Sequence, residues 1–222
     1  VRTSYESKPY RRMLMDLYGG RCYSSPTMDT KAGRAMNEKF PGTTGSLGMA
    51  ISEAVEVALE DEKTHYTLGS VLNHVMLHQT IIGEETLLQL KKFGEDQADY
   101  VFGCAGGGSN LAGLSFPFIR ELIAGNCTTK IVAVEPASCP SMTEGEFRYD
   151  YGDVAHTTPL MKMYTMGADF VPDPIHAGGL RYHGMAPMVS HAHHLGLLQS
   201  IALPQETTFK AGRLMARTEG IV

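Results

Sequence analysis

Hydrophobic positions spaced three or four residues apart predict a series of helices in the first half of the chain. The four patterns cover residues 8–18, 29–40, 46–62 and 73–92. Asp29 and Ser46 stand at the start of two of them and are predicted to cap these helices, because their side-chain oxygens accept hydrogen bonds from free backbone amides. Residues 21–24 are predicted to form a short strand between the first two helices.

Two short runs of β-branched and aromatic residues, at 99–104 and 130–135, predict buried strands. Between them lie a glycine-rich segment and a helical pattern over residues 111–124, in which Pro117 is expected either to produce a kink or to mark the first part of the helix. Strand, glycine loop, helix and strand in this order form a βαβ unit, so the fold class is predicted to be α/β with a parallel sheet.

Regular patterns fade over residues 136–184, where Pro, Gly, Tyr, His and Asp dominate. A loop of that length inside a compact domain is usually functional, so this segment is predicted to contribute to a site. Helical patterns return at residues 186–195 and 204–218. The turn at Gly69-Ser70, which leads into the long helical pattern, places a predicted domain boundary near residues 70–80.

Composition narrows the class of protein. The hydrophobic set makes up 43% of the 222 residues, which is enough for a sizeable core, and the net charge of -5 argues against a nucleic-acid partner. The longest apolar runs fall short of a membrane span, and no secretion signal is recognisable at the start. Four cysteines without C-x-x-C spacing predict reduced thiols and a cytoplasmic protein.

The strongest local signal is the sequence FGCAGGGSNLAG, from Phe102 to Gly113. Three glycines leave their amides unshielded, Ser109 supplies a hydroxyl, and the following helix points its positive end at the same place. These features predict a phosphate-binding loop, although the spacing matches neither a P-loop nor G-x-G-x-x-G. The alternative is a tight strand-to-helix turn that needs glycine only for packing.

A second glycine-flanked segment, HAGGLRYHG from His176 to Gly184, contains Arg181. Arg181 is predicted to bind a carboxylate with two hydrogen bonds, and the alternative is a solvated arginine on a surface loop. The nearby H-A-H-H run spreads its histidines around a helix, so no metal site is predicted. Glu219 is predicted to accept a proton or a hydrogen bond near a cofactor.

Several passages together resemble the tryptophan synthase beta chain, and more closely its second type. The resemblance extends over essentially the whole chain. It is carried by KPYRRMLMDLYG, GSLGMAISEAVE, LGSVLNHVMLHQTIIGEE, GCAGGGSNLAGLSFPF, HAGGLRYHGMAPMVS and ARTEGIV. The glycine loop alone is shared with other pyridoxal-phosphate enzymes of fold type II, whereas the combination with LGSVLNHV and GGLRYHG is more specific.

The resemblance implies a fold-type-II lyase that uses pyridoxal 5'-phosphate to replace the hydroxyl group of L-serine with indole, giving L-tryptophan. It also implies roles for individual residues near the cofactor. The cofactor-binding residues are Cys104, Gly106, Gly107, Gly108, Ser109, Asn110, Ser70 and Gly179. Glu219 and Arg181 match positions close to the reacting groups, and Arg181 replaces an aspartate of the better-known type. Carbonyl groups of Gly106, Tyr182 and Gly184 match a monovalent-cation site.

The same resemblance implies a homodimer, with an alpha-type subunit as a further partner, and it divides the chain into the remainder of an N-terminal domain (1–75) and a C-terminal domain (76–222). The H-K-x-N motif that carries the family's Schiff-base lysine does not occur in this sequence. The start at Val1 and the apolar end indicate a fragment, with processing at both ends as the alternative. The fragment is expected to be inactive alone, and its uncovered apolar faces are expected to lead to self-association or to an altered packing of residues 1–70. A non-catalytic phosphate-binding module and a serine or threonine dehydratase are the alternatives.

Overall fold

The computed structural model describes residues 1–176 and 179–222 of the chain. Its helices are α1 (Arg2–Ser7), α2 (Pro9–Leu17), α3 (Lys31–Lys39), α4 (Leu47–Glu60), α5 (Asn73–Gln79), α6 (Ile81–Lys92), α7 (Ser109–Ile123), α8 (Pro187–His194) and α9 (Gln205–Glu219). Its strands are β1 (Tyr100–Cys104), β2 (Lys130–Pro136), β3 (Glu146–Tyr151), β4 (Leu160–Thr165) and β5 (Gln199–Leu203).

A parallel sheet with the strand order β1-β2-β5 confirms the predicted α/β class. Tyr100 pairs with Lys130 at the start of β1, and Val132 pairs with Gln199 further along β2. Helix α7 connects β1 to β2, as the βαβ pattern predicts. Strand β5 was not predicted, because QSIAL begins with polar residues and is too short to show a period.

Helix α7 buries one face against the sheet and forms the centre of the main core. Leu111, Ala112 and Phe118 on the helix are almost fully buried, as are Ile131 and Ala133 on β2. Burial of a leucine or phenylalanine side chain contributes about 1.5–3 kcal/mol, so this face fixes the helix on the sheet. The amino-terminal end of α7 is thereby held at the carboxyl end of β1.

The prediction of an irregular segment over residues 136–184 is wrong in its middle part. Strands β3 and β4 form an antiparallel hairpin there, with Phe147 opposite Tyr164 and Tyr149 opposite Lys162. Its outer positions are exposed and polar or aromatic, while Met163 and Thr165 are buried. The many tyrosines and charged residues hid the alternation that defines these strands.

The long helical pattern at residues 73–92 is divided at Thr80 into α5 and α6, whereas α7 continues through Pro117. Close packing accounts for the division, because α5 and α6 both lie against α7. A Cβ atom on Gly113 would come within 2.6 Å of the Gln79 Cβ, and one on Gly83 within 2.7 Å of the Pro117 Cγ. Each of the two helices therefore approaches α7 closely at a glycine.

The N-terminal residues depart from prediction in two places. Thr30, and not Asp29, caps α3 by accepting a hydrogen bond from the Gly33 amide at 2.9 Å. Residues 21–24 form no strand. The Ser46 cap is confirmed, since its Oγ accepts from the Met49 amide at 3.2 Å.

Hydrogen bonds join α4 to the loop after β3, on opposite sides of the predicted domain boundary. Ser52 Oγ donates to Asp153 Oδ2 at 2.7 Å, and the Val154 amide donates to the Gly48 carbonyl at 3.4 Å. The division at residue 75 stays a prediction. Within the described ranges no helix combines the length and the apolar character that crossing a membrane requires.

Candidate functional site at the glycine loop

The glycine loop lies where the sequence predicts it, between the end of β1 and the start of α7. The Ala105 amide still donates to the Val134 carbonyl of β2, at 2.9 Å, so the loop leaves the sheet only after that residue. Gly108 has φ +118°, a conformation that favours glycine, and it forms the N-cap of α7. The backbone therefore turns sharply into the helix at this position.

Three segments that are distant in sequence pack against the glycines. A Cβ atom on Gly106 would lie 2.5 Å from the Gly179 carbonyl oxygen. One on Gly107 would lie 2.8 Å from the Ser70 Cβ, with the Ser70 Oγ closer still. The Gly107 carbonyl also accepts a hydrogen bond from the Ala186 amide at 2.9 Å. The structure thus brings together Ser70, Gly179 and the loop, and packing alone already requires glycine here.

The amides of the same loop point to a further role. The amides of residues 106–111 donate no hydrogen bond within the described residues, 1–176 and 179–222. The first amide of α7 that does donate is that of Ala112, which bonds to the Gly108 carbonyl at 2.9 Å. Six adjacent free amides at the start of a 15-residue helix form a site for an anion, because the helix dipole adds to their partial charges. A phosphate group fits this arrangement.

Asn110 and Cys104 lie together at the edge of the loop. Asn110 Nδ2 donates to the Cys104 carbonyl at 3.3 Å and contacts its sulfur at 3.1 Å. Both residues are exposed, whereas Ser109 is buried at the first position of α7. The asparagine side chain therefore holds the strand end, and the serine is positioned at the helix start.

Arg181 is half-buried and is not the solvated surface residue of the alternative interpretation. Its Nη2 donates to the Pro172 carbonyl at 2.7 Å. Burial lowers the pKa of its guanidinium from the usual value, although the nearby Cys139 and Asp173 oppose this effect. Leu180, the preceding residue, contacts Gly106, so Arg181 follows directly on the segment that packs against the loop.

The residues after Arg181 are held rigidly. The Tyr182 hydroxyl donates to the Gly152 carbonyl at 2.8 Å, and its own carbonyl, a predicted cation ligand, accepts from the Cys139 thiol at 3.2 Å. His183 is buried with Nε2 2.9 Å from the Tyr151 carbonyl, and this burial lowers its pKa, which favours the neutral ring. Ala177 and Gly178 of the HAGGLRYHG motif lie outside the described residues.

Glu219 does not join the other predicted site residues. It is exposed at the C-terminal end of α9, which stops at Gly220 with φ +69°. No hydrogen bond in the described part of the chain links it to the glycine loop. Its role near a cofactor remains a prediction.

Sequence reasoning missed three buried carboxylates that organise the irregular segments. Glu135 accepts from the Met142 amide at 2.9 Å and from the Thr143 hydroxyl at 2.8 Å. Glu53 and Asp153 bind the segments 25–30 and 157–158 in the same way. The sequence did not predict their burial, because an isolated Glu or Asp is usually exposed to solvent.

A cavity of about 680 Å³ lies along α4. Ala50, Ala54 and Val57 form an apolar part of its wall. Tyr66 also lines the cavity, and its hydroxyl is buried. Burial and the nearby Asp153 raise the pKa of this hydroxyl to about 12. The cavity thus combines this apolar wall with polar side chains, among them those of Glu53, Glu60 and His65.

A family model described as "Pyridoxal-phosphate dependent enzyme" matches residues 2–222. The chain belongs to that family. Membership implies pyridoxal 5'-phosphate as the cofactor, and the free amides of residues 106–111 fit its phosphate group. The predicted fold type II is thereby supported.

Curated relatives agree with the resemblance seen in the sequence. The chain is 52% identical to tryptophan synthase beta chain 2 of Methanothermobacter thermautotrophicus and 53% identical to that of Methanosarcina mazei. It is 54% identical to the tryptophan synthase beta chain of Fervidobacterium nodosum. Each alignment covers all of this chain and 50–52% of the relative, so the chain spans about half the length of the curated relatives it matches.

Among solved structures, a threonine deaminase from T.th. is similar with a TM-score of 0.46 and 19% identity, over 67% of this chain and 46% of that one. A likeness this distant does not bear on the activity.

Proposed function

We propose that this chain forms the phosphate-binding half of a tryptophan synthase beta-like enzyme, in which indole replaces the hydroxyl group of L-serine. The free amides at the start of α7 carry this proposal. Relatives with that name at about 50% identity support the choice of reaction. By itself, the chain is proposed to bind the cofactor without catalysing the reaction, since it contains no H-K-x-N sequence.

The proposed division of labour follows from the contacts of each residue. The amides of Gly106 to Asn110 bind the phosphate, and the Ser109 hydroxyl adds a charge-assisted hydrogen bond. Ser70 and Gly179 hold the loop in place by packing against it. Pyridoxal phosphate, when bound, supplies an electron sink for the amino-acid substrate.

Arg181 is proposed to bind the carboxylate of L-serine. The Pro172 carbonyl holds one end of its guanidinium, so the group is oriented before the substrate arrives. The cavity along α4 is proposed to receive indole, a flat apolar molecule with one N–H group, because Ala50, Ala54 and Val57 form an apolar part of its wall and the carboxylate of Glu53 also lines it. The homodimer and the alpha-type subunit stay predictions of the resemblance.

Binding is tested by titrating the purified chain with pyridoxal 5'-phosphate and, as the matched ligand, with pyridoxal. We expect binding only of the phosphorylated form, competition by inorganic phosphate, and no lysine adduct after borohydride reduction. Ser109→Ala should weaken binding about 10- to 100-fold, the equivalent of one hydrogen bond to a charged group. Ser115→Ala, a buried serine further along the same helix, is the control. Equal binding of both ligands, or a reduced lysine adduct, contradicts the proposal.

The reaction is tested in a chimera, in which this chain replaces the matching 222 residues of the Methanothermobacter relative. Tryptophan should form from L-serine and indole. Absorbance of the bound cofactor shows whether the chimera has assembled. Pyruvate without tryptophan from an assembled chimera would instead favour a dehydratase.

A further inference from the structure

Cys139 lies on a turn that is fixed to the carboxyl end of β2. The carboxylate of Glu135, at that end of the strand, is buried and accepts hydrogen bonds from the Met142 amide at 2.9 Å and the Thr143 amide at 3.0 Å. The Cys139 amide donates to the Pro136 carbonyl at 2.9 Å. The turn is thus bonded to the strand on both sides of Cys139, and the backbone that carries the thiol is held in place.

The Cys139 thiol contacts the backbone of Tyr182. Its sulfur lies 3.2 Å from the Tyr182 carbonyl oxygen. Because a carbonyl oxygen can only accept a hydrogen bond, the thiol is the donor. Both residues are buried, with 3% and 2% of their surface exposed. Residues of this chain therefore form the contact and cover it completely, and no further polypeptide is needed to shield it from water.

The contact fixes one side of Arg181, since Tyr182 follows Arg181 directly. The other side is held by the glycine loop. A Cβ atom on Gly106 would lie 2.5 Å from the Gly179 carbonyl oxygen and 3.1 Å from the Leu180 Cα. The backbone of Arg181 is thus held by close packing before it and by the thiol hydrogen bond after it.

Both of these restraints are anchored on β2. The Ala105 amide, just before the glycine loop, donates to the Val134 carbonyl at 2.9 Å. Glu135, the next residue of the strand, holds the turn that carries Cys139. The position of Arg181 relative to the glycine loop is therefore set by two adjacent residues of one strand.

The Arg181 guanidinium retains a donor for a ligand. Its Nη2 donates to the Pro172 carbonyl at 2.7 Å, whereas its Nε is buried and has no hydrogen-bond partner in the described part of the chain. A buried N–H group without an acceptor is unfavourable, and a carboxylate is the acceptor that a guanidinium binds best, through two parallel hydrogen bonds. Such a pair depends on the orientation of the guanidinium, so a group that orients Arg181 affects the binding of the carboxylate.

We propose that Cys139 is a positioning residue, whose thiol holds the Tyr182 carbonyl so that Arg181 presents its free donor to the carboxylate of the amino-acid substrate. This inference rests on the carboxylate-binding role proposed above for Arg181. Cys139 acts through the backbone of Tyr182, and no contact with the substrate is assigned to it. Loss of the thiol hydrogen bond should let Arg181 adopt several orientations and leave the glycine loop unchanged.

Exchange of the Arg181 Nε–H proton with water, followed by NMR in the ¹⁵N-labelled chain, tests the positioning itself. The signal is assigned by its absence in Arg181→Lys. Exchange should be at least about 10-fold faster in Cys139→Ala, which lacks the donor, and within about threefold of the unmodified chain in Cys139→Ser, which retains one. Arg120, whose Nε donates to Glu121 near the far end of α7, is the internal control.

The serine and alanine variants differ only by the hydroxyl donor, so their comparison separates hydrogen bonding from packing. Cys139→Val is a second variant without a donor, and it fills the space of the thiol in case Cys139→Ala does not fold. Unchanged exchange of the Arg181 proton in the folded variants without a donor overturns the proposal. So does equal acceleration in Cys139→Ala and Cys139→Ser.

Kinetics in the chimera with the Methanothermobacter relative test the consequence for the substrate. Cys139→Ala should raise KM for L-serine about 10-fold, the equivalent of one hydrogen bond, and change kcat and KM for indole by less than about twofold. Cys139→Ser should restore KM for L-serine. A lowered kcat with KM for L-serine unchanged overturns the proposal. A chimera that makes no tryptophan refutes the proposed function instead, and the exchange rates, measured on the chain itself, still decide whether Cys139 positions Arg181.

Discussion

Replacing Asp153 by asparagine tests whether a buried carboxylate holds the loop between β3 and β4. Asp153 is fully buried. It accepts hydrogen bonds from Ser52, from the amide and hydroxyl of Thr157, and from the amide and hydroxyl of Thr158, at 2.7 to 3.1 Å. Asparagine has the same shape but only one accepting oxygen and no charge, so the bonds to the other oxygen lose their acceptor.

The expected loss follows from the number of those bonds. Hydrogen bonds to a charged group contribute about 1.5–3 kcal/mol each, and the hydroxyl donors can rotate to relieve part of the cost, which leaves about 2–4 kcal/mol. In urea, with a slope of roughly 2–3 kcal/mol per molar for a chain of this size, the unfolding midpoint should fall by about 1 M. Asp169→Asn is the control, because Asp169 is exposed and pairs with the exposed Lys39; it should change stability by less than about 1 kcal/mol. A loss below about 0.5 kcal/mol for Asp153→Asn would refute the anchoring role.

The effect should also depend on pH. Burial raises the pKa of Asp153, but the hydrogen bonds from Thr157 and Ser52 outweigh it, so the pKa lies below the ordinary 3.8. A carboxyl group with a lowered folded pKa stabilises the protein above the unfolded pKa, and that contribution is lost as the pH falls through the folded value. The gap in unfolding free energy between the unmodified chain and Asp153→Asn should therefore be constant near neutral pH and narrow below about pH 4.

Two further predictions concern the glycine loop and a buried thiol. Gly107→Ala should weaken the binding of pyridoxal 5'-phosphate about 10-fold or more, because the new Cβ would lie 2.8 Å from the Ser70 Cβ. Adding Ser70→Gly should restore most of the affinity. Titration of both variants with the cofactor checks this, and an unchanged affinity in Gly107→Ala would contradict it. At pH 8, Cys139 should react with a thiol reagent at least about 1,000-fold more slowly in the folded chain than in denaturant. The reason is that burial raises the pKa of its thiol to about 12, which leaves little reactive thiolate. Similar rates in the two conditions would show that the thiol is accessible.

The sequence predicted the βαβ unit well because each of its signals is local. The apolar run at β1, the three glycines and the amphipathic α7 are adjacent in the chain, and the structure confirms their order and the parallel sheet. The Ser46 cap depended on a single side chain and its nearest amides, and it too is confirmed. Such features need no knowledge of distant contacts.

The features that sequence reasoning missed depend on distant partners. Glu53 accepts hydrogen bonds from residues 25–30, and Asp153 accepts one from Ser52 in addition to those from its neighbours Thr157 and Thr158. The long-range bonds cannot be seen in the sequence around either carboxylate. The β3–β4 hairpin was missed because most of its exposed positions carry charged side chains, which resemble loop composition. The proximity of Ser70 to the loop came from the family resemblance and not from any pattern in the residues.

The packing of the glycine loop has a mechanical consequence. Gly106 touches the 179–180 segment, Gly107 touches Ser70, and the Gly107 carbonyl is bonded to Ala186. Because no side chains separate these segments from the loop, we expect a shift of any of them toward it to displace the loop as well. An anion bound to the glycine loop should therefore restrain the backbone that leads to Arg181. In the same way, a ligand that moves Arg181 should displace the glycine loop. We therefore expect ligand binding at the loop and ligand binding at Arg181 to influence each other through these backbone contacts.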